Sequence, residues 1–319
     1  MNQVRSKPLA RAVVFAYHDI GVRCLEALLD LGVEISLVVT HRDDENENIW
    51  FASVAELARR NGIPVISPAD PNEVNVIAQV TAAKPRFLFS FYYRSMLGAE
   101  LLSIPQQGAF NLHGSLLPQY RGRVPVNWAI INGERQTGVS FHRMVTKPDA
   151  GNLVAQRSVP ILINDRAIDV FRKLVCAGEE LILQTVPGLL DGSARETPLD
   201  LTQGSYFGGR RPQDGRIDWA CPAIEIHNLV RALAPPYPGA FFDVGTQRIF
   251  VLGSYYRELP AHSSSPRLYW ENGMAWADCS DGRRLLITKL RLGDTVTDEH
   301  GFRQVFGDSL SLCPQTTTG

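Results

Sequence analysis

Cysteine is scarce and poorly placed for cross-linking. The five cysteines, Cys24, Cys176, Cys221, Cys279 and Cys313, are odd in number, far apart and never in a Cys-x-x-Cys pair. That spacing excludes a disulfide framework and a thiolate zinc site, and it reads as a reduced, cytoplasmic chain. Long apolar runs are missing too: Met1–Arg11 is polar and basic, and the run after it is too short for a signal-peptide core or a membrane span. Charge of one sign is not in excess. A formal charge of −1 with both signs interspersed offers no general field for nucleic acid or an anionic membrane, so small solutes fit better as partners. The first strand is followed by Tyr17-His18-Asp19-Ile20-Gly21, whose single glycine lacks the Gly-x-Gly-x-x-Gly spacing for a pyrophosphate. NAD and ATP are excluded at this loop, and Asp19 reads as a helix cap.

What is present is alternation. Strands are expected at Ala12–Ala16, Glu34–Thr40, Pro64–Ile66, Phe87–Phe91 and Ala109–His113, with helices at Gly21–Leu31, Ser53–Asn61, Val74–Lys84 and Val126–Asn132. Two strands, Thr137–Met144 and Leu153–Val159, and a long helix, Val170–Leu190, complete the pattern of an α/β domain with a mostly parallel sheet. Beyond a polar stretch the pattern shortens: one helix at Ala223–Leu233 and alternating stretches at Arg248–Leu252, Leu268–Trp270, Ala275–Ala277 and Leu285–Lys289 predict a small OB-like β-barrel. The expected division is a disordered extension (1–11), a catalytic domain (12–190), a linker (191–207), the OB-like domain (208–309) and a flexible tail (310–319).

The chemistry concentrates between Ala109 and Arg123. Asn111 and His113 lie two apart on an expected strand, so both point to one face, at the carboxyl end where open α/β sheets bind ligands. An amide there can donate to an oxygen that becomes negative during carbonyl addition, worth roughly 3 kcal/mol when preorganised. Asp149 is the carboxylate best placed to face His113 and raise its pKa. The bland alternatives stay open at this point: a strand histidine that is only a satisfied interior group, an Asx turn at Asp149, an amide bonding backbone at a strand end. His142, between Phe141 and Arg143, reads as structural, and Trp219 as interdomain packing.

Phe110-Asn111-Leu112-His113-Gly114-Ser115-Leu116-Leu117-Pro118, then Tyr120-Arg121-Gly122-Arg123, with Asp149-Ala150-Gly151 downstream, resembles the signature of the N10-formyltetrahydrofolate-dependent formyltransferases. Within that family the likeness is to the sugar-nucleotide branch, in particular the formyltransferase domain of the bifunctional polymyxin-resistance enzyme that formylates UDP-4-amino-4-deoxy-L-arabinose. It runs from Val13–Asp19 through Phe89–Arg94 and Thr137–Val139 to Pro238–Phe241. The resemblance implies a Rossmann-like catalytic domain. Asn111 would stabilise the oxyanion, His113 would be general acid/base, and Asp149 would raise the pKa of that ring. It also implies folate contacts at Ser95, Met96, Leu97 and Arg123 and along Val145, Thr146, Lys147, Pro148 and Asp149, several through backbone groups.

The donor implied is N10-formyltetrahydrofolate, the acceptor a nucleotide-linked amino sugar, and neither step needs a metal. Arg121, Arg210, Arg211 and Tyr92 are the candidate acceptor contacts. Lipid A modification is the process that acceptor implies, and no nucleic-acid or membrane partner is expected. Methionyl-tRNA formyltransferase, formylation of another small amine, and formyltetrahydrofolate deformylase are the competing readings. The near balance of acidic and basic residues after 200, with Lys289 the single lysine, argues against a tRNA acceptor.

Overall fold

The computed structural model describes residues 10–45 and 47–312. Residues 1–9 of the expected extension and 313–319 of the expected tail lie outside the described residues; Arg11 already belongs to a strand, and so does Leu310.

The first half builds β1 (Arg11–Ala16), α1 (His18–Asp30), β2 (Glu34–Val39), α2 (Val54–Arg60), β3 (Val65–Ile66), α3 (Val74–Ala82), β4 (Phe87–Phe91), α4 (Ala99–Ser103) and β5 (Ala109–His113). There follow β6 (Arg121–Gly122), α5 (Pro125–Ile131), β7 (Gln136–Arg143), β8 (Leu153–Pro160), α6 (Ala167–Asp191) and β9 (Tyr206–Phe207). The main sheet has the order β3-β2-β1-β4-β5-β7-β8, parallel from β3 to β5. β7 then enters antiparallel to β5.

Residue chemistry accounts for this centre. Every residue of β4, Phe-Leu-Phe-Ser-Phe, is buried, as a strand covered on both faces requires. Phe87, Phe89 and Phe91 alternate onto one face and stack at 5.8 and 6.0 Å, and Phe89 meets Phe110 from β5 and Phe141 from β7. Burial of each such ring contributes about 2–3 kcal/mol. At the edge, α2 is capped by Ser53, whose side chain accepts from the Glu56 N–H at 3.3 Å. Asp19 does not cap α1, contrary to expectation: Tyr17 is the capping position, and the Asp19 carboxylate accepts from the Ala52 N–H at 2.7 Å, tying down the loop that precedes α2.

The rest comprises α7 (Ala223–Leu233), β10 (Ala240–Val244), β11 (Gln247–Tyr255), β12 (Arg267–Glu271), β13 (Met274–Asp278), β14 (Arg284–Leu292), β15 (Thr295–Thr297), α8 (Glu299–Phe306) and β16 (Ser309–Ser311). Its sheet runs β10-β11-β14-β13-β12-β16, antiparallel throughout, with β15 added on β14, an OB-like half-barrel. Ile226, Val230 and Leu233, spaced four and three apart, turn one face of α7 into its core. Trp219, expected at an interdomain contact, lies in that core against Phe242, edge to face at 5.3 Å.

By contacts the chain forms two units. The first holds residues up to 125, 136–159 and 171–208; the second holds 126–135, 160–170 and 209 onward. Among the described residues no helix is long and apolar enough to cross a membrane.

Candidate active site

Alternation along β5 sends Phe110 and Leu112 into the apolar layer and leaves Asn111 and His113 on the other face. The antiparallel register pairs Asn111 with His142 and His113 with Ser140 on β7. Ser140 secures the loop after β5: its hydroxyl donates to the Ser115 carbonyl at 2.6 Å and accepts from the Leu117 N–H at 2.9 Å. Gly114 is there because of a close approach. A Cβ at this position would come within 2.2 Å of the Tyr92 hydroxyl.

Asp149 arrives from the turn between β7 and β8 in the left-handed region, φ 48°. One carboxylate oxygen, Oδ2, accepts from the Gly122 N–H at 2.9 Å. The other, Oδ1, stands 3.5 Å from His113 Nδ1 and 3.6 Å from His142 Nε2. Asn111 Nδ2 is 3.2 Å from that same His142 nitrogen. Asn111, His113 and Asp149, distant in sequence, thus come together, with His142 as a fourth member. His142, expected to be structural, stands beside them because of the cross-strand register that places it opposite Asn111, which is not a local property of the sequence.

Each imidazole is oriented by a backbone carbonyl. His113 Nε2–H donates to Tyr120 at 2.9 Å and His142 Nδ1–H donates to Arg143 at 2.9 Å, so in the neutral rings the lone pairs face the carboxylate. Burial drives the pKa of His113 below its ordinary value, outweighing the upward pull of Asp149 and of the Tyr120 contact. The rise expected from Asp149 is therefore only a partial offset. The ring rests neutral, ready to take a proton, and the carboxylate sits where it would stabilise the cation that results. For Asp149 burial opposes ionisation, but the acid is held below the usual carboxylate range, with the Gly122 N–H donating to its Oδ2.

The other expected contacts divide. Ser95 is half-buried and Met96 is 55% exposed, whereas the Leu97 side chain is core and leaves only its backbone for a ligand. Val145, Thr146, Lys147 and Arg123 are exposed and Pro148 half-buried. Arg123 is fixed through its backbone N–H, which donates to Phe207 at 3.0 Å. Arg121 is half-buried, and its Nε is an interior N–H without a hydrogen-bond partner among the described residues. Tyr92 sits at φ 56° against Phe171. Arg210 and Arg211 belong to the second unit: the first lies 4.8 Å over the Trp128 ring and donates to the Asp214 carbonyl, and the second is exposed, its N–H on the Asp214 carboxylate at 2.6 Å. Among the described residues no group of three or more His, Cys, Asp or Glu side chains is arranged to hold a metal ion.

Comparison with known families decides the class. The formyl transferase family matches residues 13–186, and its C-terminal domain matches residues 210–299. The chain belongs to the formyl transferase family. It is an enzyme of formyl-group transfer, and Asn111, His113 and Asp149 all fall within the N-terminal match.

Solved structures share the fold. WlaRD, a sugar 3N-formyl transferase crystallised with dTDP and 5-N-formyl-THF, is 19% identical with a TM-score of 0.64, over 90% of this chain and 99% of that one. The N-formyltransferase from Helicobacter canadensis, in complex with folinic acid and dTDP-3-aminofucose, is 21% identical with a TM-score of 0.62, over 87% and 98%. HypX from Aquifex aeolicus, in complex with tetrahydrofolic acid, is 18% identical with a TM-score of 0.64, over 93% of this chain but 47% of that one.

Proposed function

We propose that this formyltransferase moves the formyl group of N10-formyltetrahydrofolate to the primary amine of a nucleotide-linked amino sugar, with UDP-4-amino-4-deoxy-L-arabinose the leading acceptor. The observation that carries the reading is the convergence of Asn111, His113 and Asp149 in a recessed cluster, with the imidazole neutral and a carboxylate 3.5 Å from it. The unprotonated amine attacks the formyl carbon, and the carbonyl electrons move to oxygen. An N–H of Asn111 receives that oxyanion, His113 takes the amine proton, and a proton passes to the departing folate nitrogen as the tetrahedral intermediate collapses. Asp149 stabilises the transient imidazolium. The folate is assigned to Ser95–Leu97, Arg123 and the 145–149 turn, and the Nε–H of Arg121, without a hydrogen-bond partner among the described residues, is a donor for an anionic group of either substrate.

Two relatives of the same fold are sugar enzymes crystallised with dTDP ligands, which supports a sugar nucleotide over a tRNA and puts dTDP-linked amino sugars beside the UDP-linked one in any test. The assay is mass spectrometry of products from purified protein, N10-formyltetrahydrofolate and a panel of UDP- and dTDP-amino sugars. One formyl group gained by UDP-4-amino-4-deoxy-L-arabinose supports the full reading, and gain by another sugar corrects the acceptor. Tetrahydrofolate released equally without acceptor would replace transfer by hydrolysis.

A further inference from the structure

We propose that His142 is a positioning residue for the reaction. It holds the Asn111 carboxamide so that one N–H is engaged and the other is presented to the formyl oxygen. The proposal rests on the formyl-transfer reading for its chemistry, but its geometry stands independently.

A carboxamide has two ends of similar size and opposite polarity, and only the NH₂ end can stabilise an oxyanion. Something must therefore select the orientation of Asn111. His142 is its direct cross-strand neighbour, 2% exposed, so water does not compete for its nitrogens. A neutral imidazole has one N–H, and here it is committed: Nδ1 donates to the Arg143 carbonyl at 2.9 Å. Nε2 is consequently an acceptor, and Asn111 Nδ2 lies 3.2 Å from it. An acceptor at this place fixes the NH₂ end toward β7 and leaves its second hydrogen for substrate.

The same nitrogen does a second job. Asp149 Oδ1 is 3.6 Å from His142 Nε2, so the amide and the carboxylate converge on one atom from two sides. Without the ring, the Asn111 N–H would be drawn to the anionic oxygen, since a charged acceptor outcompetes a neutral one. His142 offers a neutral acceptor in place of the anion. Asp149 stays with His113, and Asn111 stays with the reacting carbonyl.

Two measurements test this. In the unliganded protein, long-range ¹H–¹⁵N correlation spectra of the imidazoles should show His142 as the Nδ1–H tautomer at neutral pH; an Nε2–H or doubly protonated ring overturns the proposal whatever the enzyme formylates. In steady-state assays, His142→Phe, which keeps a ring but removes the acceptor, should lower kcat about 10–100-fold with both KM values within about twofold. His142→Gln, which retains an acceptor, should recover most of the loss. In the Asn111→Ala background His142→Phe should cost nothing further. An additive loss there, or a loss with Gln equal to that with Phe, overturns the proposal. Absence of formyl transfer by the parent enzyme would instead count against the functional reading and leave the tautomer to judge the geometry.

Discussion

Two clusters of buried polar groups, one in each unit, have opposite characters. In the second unit His227 closes on neutral partners, the Ser254 hydroxyl at 2.8 Å and the Ile163 carbonyl at 2.9 Å. Arg231, 3% exposed, bonds the Leu162 and Asp165 carbonyls and the Asn228 amide. In the first unit two imidazoles face one carboxylate, at distances of 3.5 and 3.6 Å that are longer than ordinary hydrogen bonds, and an amide meets one of those rings. The first arrangement satisfies and stiffens; the second leaves room for a proton to move. Burial of polar atoms alone does not mark a candidate site; incomplete pairing around a buried carboxylate is the better pointer.

Replacing one histidine from each unit is the sharpest way to break the comparison. His113→Ala should lower kcat by about 10²–10⁴ with the melting temperature little changed, while His227→Ala should lower the melting temperature and leave kcat per folded molecule intact. Equal kinetic losses would erase the distinction. Next in size is Gly122→Ala. Gly122 has φ 99°, and a Cβ there would meet the Phe207 carbonyl oxygen at 2.2 Å, so the change should cost about 2–3 kcal/mol and release Asp149 from its N–H anchor. Denaturant titration and kcat should fall together; retention of both would show that the anchor is dispensable.

Arg231→Met addresses the second unit alone. Leaving its carbonyl partners unsatisfied should cost on the order of 2–4 kcal/mol, read in the same titration, with no kinetic effect. The smallest contrast is in pH. Burial first, and nearby arginine charge second, depress His18 to about 3 and His41 to about 4, and burial likewise takes His227 to about 4. Such rings are neutral when folded, while their unfolded counterparts gain protons below about pH 6.5. Stability is thus full above that pH and falls as pH drops toward 4 and 3. With His18, His41 and the depressed His113 in the first unit, hydrogen exchange should show that unit opening at higher pH than the second on acidification.

Much of this was readable from residue order because it is local. The Ala109–His113 strand and the Ala223–Leu233 helix match the periodicity end for end, and Asn111 and His113 share a face because strand period is two. Elements defined by distant partners were not readable. β6 and β9 are two residues each and exist only by pairing with one another, and β10 escaped notice because Ala-Phe-Phe-Asp-Val does not alternate. His142 belongs to the same category: Ser140 and His142 alternate on a recognisable strand, but nothing nearby says which strand they face.

The short parallel ladder between β6 and β9 also ties the 120–123 loop to a segment made later in synthesis. Tyr120 and Arg121 N–H donate to the Ser205 side chain and carbonyl at 2.8 and 3.0 Å, and Arg123 N–H donates to the Phe207 carbonyl at 3.0 Å. A nascent chain that has emerged only as far as α6 therefore possesses Asn111, His113 and Asp149 but not the fasteners of the loop that carries Tyr120 and Gly122. During synthesis on the ribosome, that loop would gain these partners only after residue 207 has cleared the exit tunnel, so a gene product ending before that point would carry Asn111, His113 and Asp149 without the pairing that fastens Tyr120 and Gly122 beside them.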